Sequence, residues 1–255
     1  MQVAAMFVRP TNPLSHRLAR LAFVMACAGA LVVGLAGPLH RFAGLDVDIA
    51  IGVMRYGFYV AVAGVALAVA TIVPTRPGDR RRGFVAAVLA IMIGVAAAYT
   101  PLSWFQRAQH MPELNDISTD INDPPPLVVT LQLRRGAANP PAWPGKSAGV
   151  LQRSAYPDIV PVVLPVPPAE AFKRVDEAAM AMGWDVVARA PADGRLEAVA
   201  TSDWFGFRDD IVVRIRADGA GSRVDMRSKS RFGDSDLGVN AQRIREFTAK
   251  LKAMP

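Results

Sequence analysis

Three apolar runs crowd into the first 102 residues of this chain. Residues 19–39 carry no charge after Arg20, and residues 56–73 and 84–102 carry none at all. Each run is close to the roughly 20 residues that a helix needs to cross about 30 Å of hydrocarbon. A Lys or Arg at the centre of such a helix costs about 3 kcal/mol, so charge-free interiors in all three are informative. One such run would suit a core helix of a soluble protein. Three in succession predict a membrane domain over residues 1–102, with spanning helices at about 19–39, 56–73 and 84–102.

The placement of arginine predicts the orientation. Arg9, Arg17 and Arg20 precede the first run, and Arg76, Arg80, Arg81 and Arg82 lie between the second and third. The opposite side has Arg41, Arg55 and Arg107, with Asp46 and Asp48 nearby. Positive charge favours the cytoplasmic side, which predicts a multi-pass protein of a bacterial-type inner membrane. Its N-terminus is then cytoplasmic and residues 103–255 periplasmic, with Trp104 and Phe105 as an interfacial anchor. Val24-Met25-Ala26-Cys27 loosely resembles a lipoprotein cleavage box, but the apolar run continues well past Cys27, as a spanning helix requires.

The same charges exclude several functions. Residues 1–110 hold ten Arg against three Asp, while residues 111–255 balance 19 basic against 19 acidic side chains. The net charge of +7 is therefore a mark of topology, and no nucleic-acid partner is expected. Cys27 is the one cysteine, so no internal disulfide and no cysteine-based metal site can form. His16, His40 and His110 all lie in or beside the membrane part, which leaves the rest of the chain without histidine chemistry. Phosphate-binding glycine loops are absent and no cofactor is expected. No charge sits mid-run, so an ion path through the helices has no support. Small residues recur every fourth position, at Ala22, Ala26, Ala30 and Gly34 and at Ala86, Ala90, Gly94 and Ala98. They are expected to form smooth packing faces, although alanine richness alone would produce the same spacing.

Residues 103–150 read as a proline-rich connector, with Pro124-Pro125-Pro126, Asn139-Pro140-Pro141 and Trp143-Pro144-Gly145 opposing helix through most of it. Such a segment is either a free linker or a strap laid over a domain. Within it, residues 127–133 suit a short strand or helix. Residues 151–255 read as an α+β domain. An edge strand at 159–164 carries Pro161. Pro167-Pro168 opens a helix whose apolar face is Phe172, Val175, Ala179 and Met182, closed by Gly183. Strands follow at 184–189, 195–205, 210–216 and 223–231, with Asp218-Gly219-Ala220-Gly221 turning between the last two. A final helix at about 239–253 buries Ile244, Phe247 and Leu251. The expected fold is a mainly antiparallel sheet with two helices packed on one face.

Several segments resemble a known family. They are Asp116-Ile117-Ser118-Thr119-Asp120, Asp123-Pro124-Pro125, Ala155-Tyr156-Pro157-Asp158, Asp209-Asp210 and the long run from Arg227 through Ser228, Lys229, Ser230, Arg231, Phe232, Gly233, Asp234, Ser235, Asp236, Leu237, Gly238 and Val239 to Asn240. Together they resemble the bacterial family called domain of unknown function 1499, over about residues 111–252. Asn115 stands where that pattern has a histidine before the Asp-Ile pair. The resemblance implies domain limits, and hydrophobic helices ahead of the domain in several members; it implies no activity.

Two constellations bear chemistry. Arg227, Lys229 and Arg231 alternate along one strand, and Arg214 and Arg216 share a face of its neighbour. If the faces coincide, five cations line a patch suited to phosphate or an anionic lipid headgroup, with Asn240 closing the same run. The plainer reading is a strand face salt-bridged to the domain's own acids. Asp209, Asp210, Asp234 and Asp236 supply loop oxygens for a cation such as calcium. Alternatively, Asp234 or Asp236 caps the last helix and the other two pair with arginines. Carboxylates among arginines are held ionised, which opposes acid–base catalysis, and Ser228 and Ser230 lack a histidine to activate them. No catalytic residue is assigned. The expected function is a tethered, non-catalytic module for an anionic lipid or an envelope protein. The alternatives are a metal-assisted envelope hydrolase using the four aspartates, or a scaffold acting through its helices.

Overall fold

The computed structural model describes residues 13–75 and 82–254. Arg9, Arg76, Arg80 and Arg81, on which the orientation partly rests, lie outside them. The chain divides into two compact units, Met1–Gln106 and Arg107–Pro255.

Among the described residues three helices are long and apolar enough to cross a membrane. They are α1 (Pro13–Ala43), α2 (Val47–Ile72) and α3 (Arg82–His110). Each outruns its charge-free stretch, because helical hydrogen bonding continues where polar residues are tolerated at a membrane interface. Asp46 starts α2, its carboxylate accepting from the N–H groups of Asp48 and Ile49 at 2.9 and 3.3 Å. Cys27 lies well inside α1.

Large side chains such as Leu21, Leu31, Val69, Leu89 and Met92 point outward, while the buried positions are mostly alanine and glycine. That inversion of a soluble core suits a lipid surround. The inner seam of α1 is Ala19, Ala22, Ala26, Gly29, Val33 and Ala36, and that of α2 is Ala50, Met54, Gly57, Ala61, Gly64, Ala68 and Thr71. Ala22 and Ala26 thus pack as expected, but Gly34 is exposed. In α3 Ala90 and Gly94 are buried beside Gly83 and Ala87, with Ala86 and Ala98 half-buried. Four residues advance a helix by about 400°, so a strict four-step stripe rotates off its partner; alternating steps of three and four stay on it. The closest backbone approach between α1 and α2 is at Gly29, where a Cβ would meet the backbone N of Ala61 at 2.5 Å and the carbonyl O of Gly57 at 2.7 Å. Gly29→Leu is expected to force α1 from α2 and cost about 1–3 kcal/mol as overpacking. A lowered melting temperature of the detergent-solubilised chain checks this, with Gly34→Leu, facing open space, as the silent control.

The second unit runs β1 (Asp116–Ser118), α4 (Val129–Gln132), α5 (Lys146–Ala155), β2 (Val162–Leu164), α6 (Pro168–Ala181), β3 (Asp185–Ala190), β4 (Arg195–Thr201), β5 (Arg208–Asp218), β6 (Gly221–Ser230) and α7 (Val239–Ala253). All pairings are antiparallel, in the order β1-β6-β5-β4-β3, and β2 pairs with the same edge of β6 as β1. The β5–β6 hairpin closes through Gly219 at φ 56°, a conformation that glycine adopts without strain.

One face of the sheet is apolar. Leu196, Ala198, Ile211, Val213, Ile215, Val224, Met226 and Ile117 pack against Phe172, Val175 and Ala179 of α6 and Ile244, Phe247 and Leu251 of α7. Trp184 stacks on Phe247 at 5.2 Å between ring centroids. The mixed α+β architecture, with both helices on one face, is the expected one. The proline-rich segment is a strap and not a free linker: residues 119–145 cross the opposite face, burying Leu127, Thr130 and Arg134.

Candidate functional site

Strand alternation decides which side chains meet. In the β5–β6 register, Arg214 pairs with Asp225, Arg216 with Arg223, Val212 with Arg227 and Asp210 with Lys229. Cross-strand partners share a face. The two strand faces therefore do coincide, opposite the apolar core. Carboxylates, however, interleave with the cations, and the strap lies over most of them.

Two groups result. In the first, Asp116 of β1 receives Arg227 in a two-pronged contact, Nε to Oδ1 at 2.9 Å and Nη2 to Oδ2 at 2.8 Å, and Lys229 Nζ at 2.8 Å. Beside it, Asp210 receives Arg231 at 2.6 Å and Arg134 from the strap. Carbonyls of Pro125, Pro141, Leu133 and Asn139 take further N–H groups from these arginines, and Trp143 lies with its ring centroid 5.6 Å from the Arg227 guanidinium. Lys229 is only 1% exposed. Burial pushes its pKa down, Asp116 opposes that shift, and Arg227 and Arg134 reinforce it. Four buried cations thus face two carboxylates, with carbonyl dipoles supplying the balance. Arg134 Nε and Trp143 Nε1 are buried with no acceptor among the described residues.

The second group is nearer solvent. Asp225, fully buried, gathers Arg214 at 3.0 Å, Arg216 at 2.9 Å and Arg223 at 2.9 Å. Asp120 and Asp123 complete it from the strap, Asp120 meeting Arg223 at 2.6 Å and Asp123 meeting Arg216 at 3.0 Å. Burial works against ionising Asp120, but the N–H groups of Asp123 and Asn122 and the Arg223 and Arg214 guanidiniums hold its pKa below the usual value. Glu197 anchors the strap between the groups. Its carboxylate accepts from the N–H groups of Val128, Val129 and Thr130 at 2.9–3.1 Å and from Thr130 Oγ1 at 2.7 Å.

Asn240 lies on the other side of the sheet. It is fully buried, accepting from Ser228 Oγ at 2.7 Å and donating to Ser230 Oγ at 2.9 Å, so it ties α7 to β6. Asp209 pairs with Arg243 at 2.6 Å. Asp236 accepts from the N–H groups of Gly238 at 2.8 Å and Asn240 at 2.7 Å at the start of α7. Burial raises its pKa, Asp209 adds to the rise, and the two N–H groups and Arg243 oppose it. Leu237, between them, holds a left-handed φ of 54°. Asp234 is exposed. The four aspartates divide among ion pairs, a helix start and solvent. Among the described residues no group of three or more His, Cys, Asp or Glu is placed to hold a metal.

Sequence reasoning passed over Asp116 as a partner, and with it Arg134, Glu197, Asp225 and Arg223. Asp225 was within reach, since it shares the alternation of Arg223, Arg227 and Lys229. It also passed over a cleft of about 310 Å³ outside the β6 edge, lined by Thr119–Asn122, Gln152, Arg153, Tyr156, Pro157, Ile159–Pro161 and Arg223.

Fold and site define a class: three candidate membrane helices followed by an α+β domain whose second sheet face is filled with paired charges under a strap. The chain belongs to the family described as "Protein of unknown function (DUF1499)", whose model matches residues 116–251, more than half of the chain. The comparison with curated proteins gave no match. Among solved structures, one titled "Crystal structure of Ara h 8.0201" is similar at 14% identity over 37% of this chain and 95% of its own, with a TM-score of 0.21. A score that low carries no argument.

Proposed function

We propose that this is a multi-pass inner-membrane protein whose Arg107–Pro255 unit is a non-catalytic periplasmic module, binding an anionic amphiphile or an envelope partner. The observation that carries the reading is how the charged side chains are spent. Asp116, Asp210, Asp225 and Glu197 are fully buried and engaged by cations or backbone N–H groups. Acid–base catalysis needs a group that can exchange a proton with substrate. Carboxylates locked this way serve the fold instead. Of the six residues first singled out for ligand binding, Arg227, Lys229, Arg231 and Asn240 are interior; Arg214 is largely covered, and Arg216 keeps 42% of its side chain exposed. Cations that reach the surface are thus at the rim, at Arg216, Arg223 and Arg153, and of these Arg153 makes no ion pair with a described residue. Substituting Arg227 or Arg231 would test stability and not binding.

Orientation rests on the seven arginines flanking the first run and filling the second loop. A periplasm-active reporter fused after Pro255 is expected to be active and one fused after Arg82 silent. The reverse pattern would place the module in the cytoplasm and remove the envelope from its function. Native mass spectrometry of the full chain is expected to show a bound amphiphile or protein. A bare mass together with divalent-dependent hydrolysis by the same preparation would overturn the non-catalytic reading.

A further inference from the structure

The edge of the sheet next to β6 is made in two pieces. β1 covers Arg227–Lys229, β2 covers Ser222–Val224, and Thr119 bridges the gap, its N–H donating to the Met226 carbonyl and its Oγ1 accepting from the Met226 N–H at 2.8 Å each. The outer side of β1 is blocked by a side chain: Gln152 of α5 donates to the Ser118 carbonyl at 2.7 Å and accepts from its N–H at 3.0 Å. This amide acts as a one-residue strand and stops further strand pairing there. Where the chain leaves β1 and arrives at β2, the two segments part and the cleft opens between them.

Its walls are amphipathic. Ile121, Tyr156, Pro157, Ile159, Val160 and Pro161 supply apolar surface. Next to it Val160 is 56% exposed, Val163 63% and Val150 70%. Val163 shares a face with its cross-strand partner Arg223, and Val150 lies one turn before Arg153 on α5. The charges differ in their commitments. Arg223 is held between Asp120 and Asp225, whereas Arg153 is exposed and makes no ion pair with any described residue. An apolar surface beside an uncommitted guanidinium is complementary to a molecule with an anionic head and a hydrocarbon tail. The volume is at the small end for ligand sites, enough for a headgroup and the first part of a chain.

We propose that this cleft binds an anionic phospholipid, its phosphate on Arg153 with Arg223 behind, and its chain over Val160 and Pro161. The proposal rests on the module reading above and names the ligand class and the place.

The full chain in zwitterionic nanodiscs is titrated by calorimetry with water-soluble dihexanoyl phosphatidylglycerol, with dihexanoyl phosphatidylcholine and with inorganic phosphate. Saturable binding of the first is expected, with the other two at least about tenfold weaker, as loss of one charge-assisted contact or of the tail implies. Arg153→Glu and Val160→Ser are both surface changes and leave the melting temperature unmoved. Each is expected to weaken the anionic lipid about tenfold, and Arg153→Glu should erase the preference over phosphatidylcholine. Equal affinity for the two lipids, binding of phosphate as tight as of lipid, or full affinity in Arg153→Glu would overturn the assignment. A protein partner cross-linked elsewhere on a chain that binds no lipid would end this proposal and leave the module reading standing.

Discussion

Asp116→Ala is expected to lower the melting temperature of the Arg107–Pro255 unit by roughly 10 °C, equivalent to about 3–5 kcal/mol. The size follows from what is left behind. Asp116 is fully buried and is the carboxylate partner of both Arg227 and Lys229, themselves 3% and 1% exposed. Removing it strands two cations in a layer that already holds Arg134 and Arg231 with Asp210 alone between them. A buried pair adds little net stability relative to apolar residues of the same shape, but half a pair is expensive. The companion result separates these effects. Replacing Asp116, Arg227 and Lys229 together by Leu, Met and Met should recover most of the loss. Thermal melts of the parent, the single variant and the triple variant check both statements. A single variant melting within about 2 °C of the parent would mean that the cations reach solvent and that the layer is not sealed.

Much of the plan was legible because it rests on periodicity. The charge-free runs located α1, α2 and α3. Alternation located β5 and β6, and the 3.6-residue spacing of Ile244, Phe247 and Leu251 located α7. What escaped notice depends on partners remote in sequence. Asp116 meets residues 111 and 113 positions away, and no local pattern announces that. Helix α5 escaped for a different reason. Its buried residues are Gly149 and Gln152, so its docking side carries a glycine and an amide in place of large apolar side chains. Prolines argued against long helices in residues 111–145, where the four-residue α4 forms. They said nothing about docking, because a strap holds by its carbonyls, by Arg134 and by N–H groups given to Glu197.

That last contact sets the other large effect. Glu197 belongs to β4, yet it takes the N–H groups that open α4 and the hydroxyl of Thr130, all from a fully buried position. Four residues cannot sustain a helix alone, so α4 persists because its first turn is capped from another element. Glu197→Ala leaves these donors facing a cavity without an acceptor, a loss of about 3–4 kcal/mol. The damage should be local. Arg134 still holds Asp210 at the far end of the segment, and α6 and α7 pack on the opposite face. Hydrogen exchange is therefore expected to rise about a hundredfold or more at residues 127–133 and to stay unchanged in α6 and α7. Glu197→Gln keeps one acceptor and turns an NH₂ toward the remaining donors, so it should fall between the parent and the alanine variant. Unchanged protection at 127–133 in Glu197→Ala would show that the strap holds by its apolar contacts. A uniform rise across the unit would show instead that strap and sheet open as one cooperative body. Confined exchange is the expected result because the carboxylate's hydrogen bonds all go to the strap's first turn, beside an ion pair with Arg195 of its own strand, while the arginine-carboxylate pairs on either side remain closed.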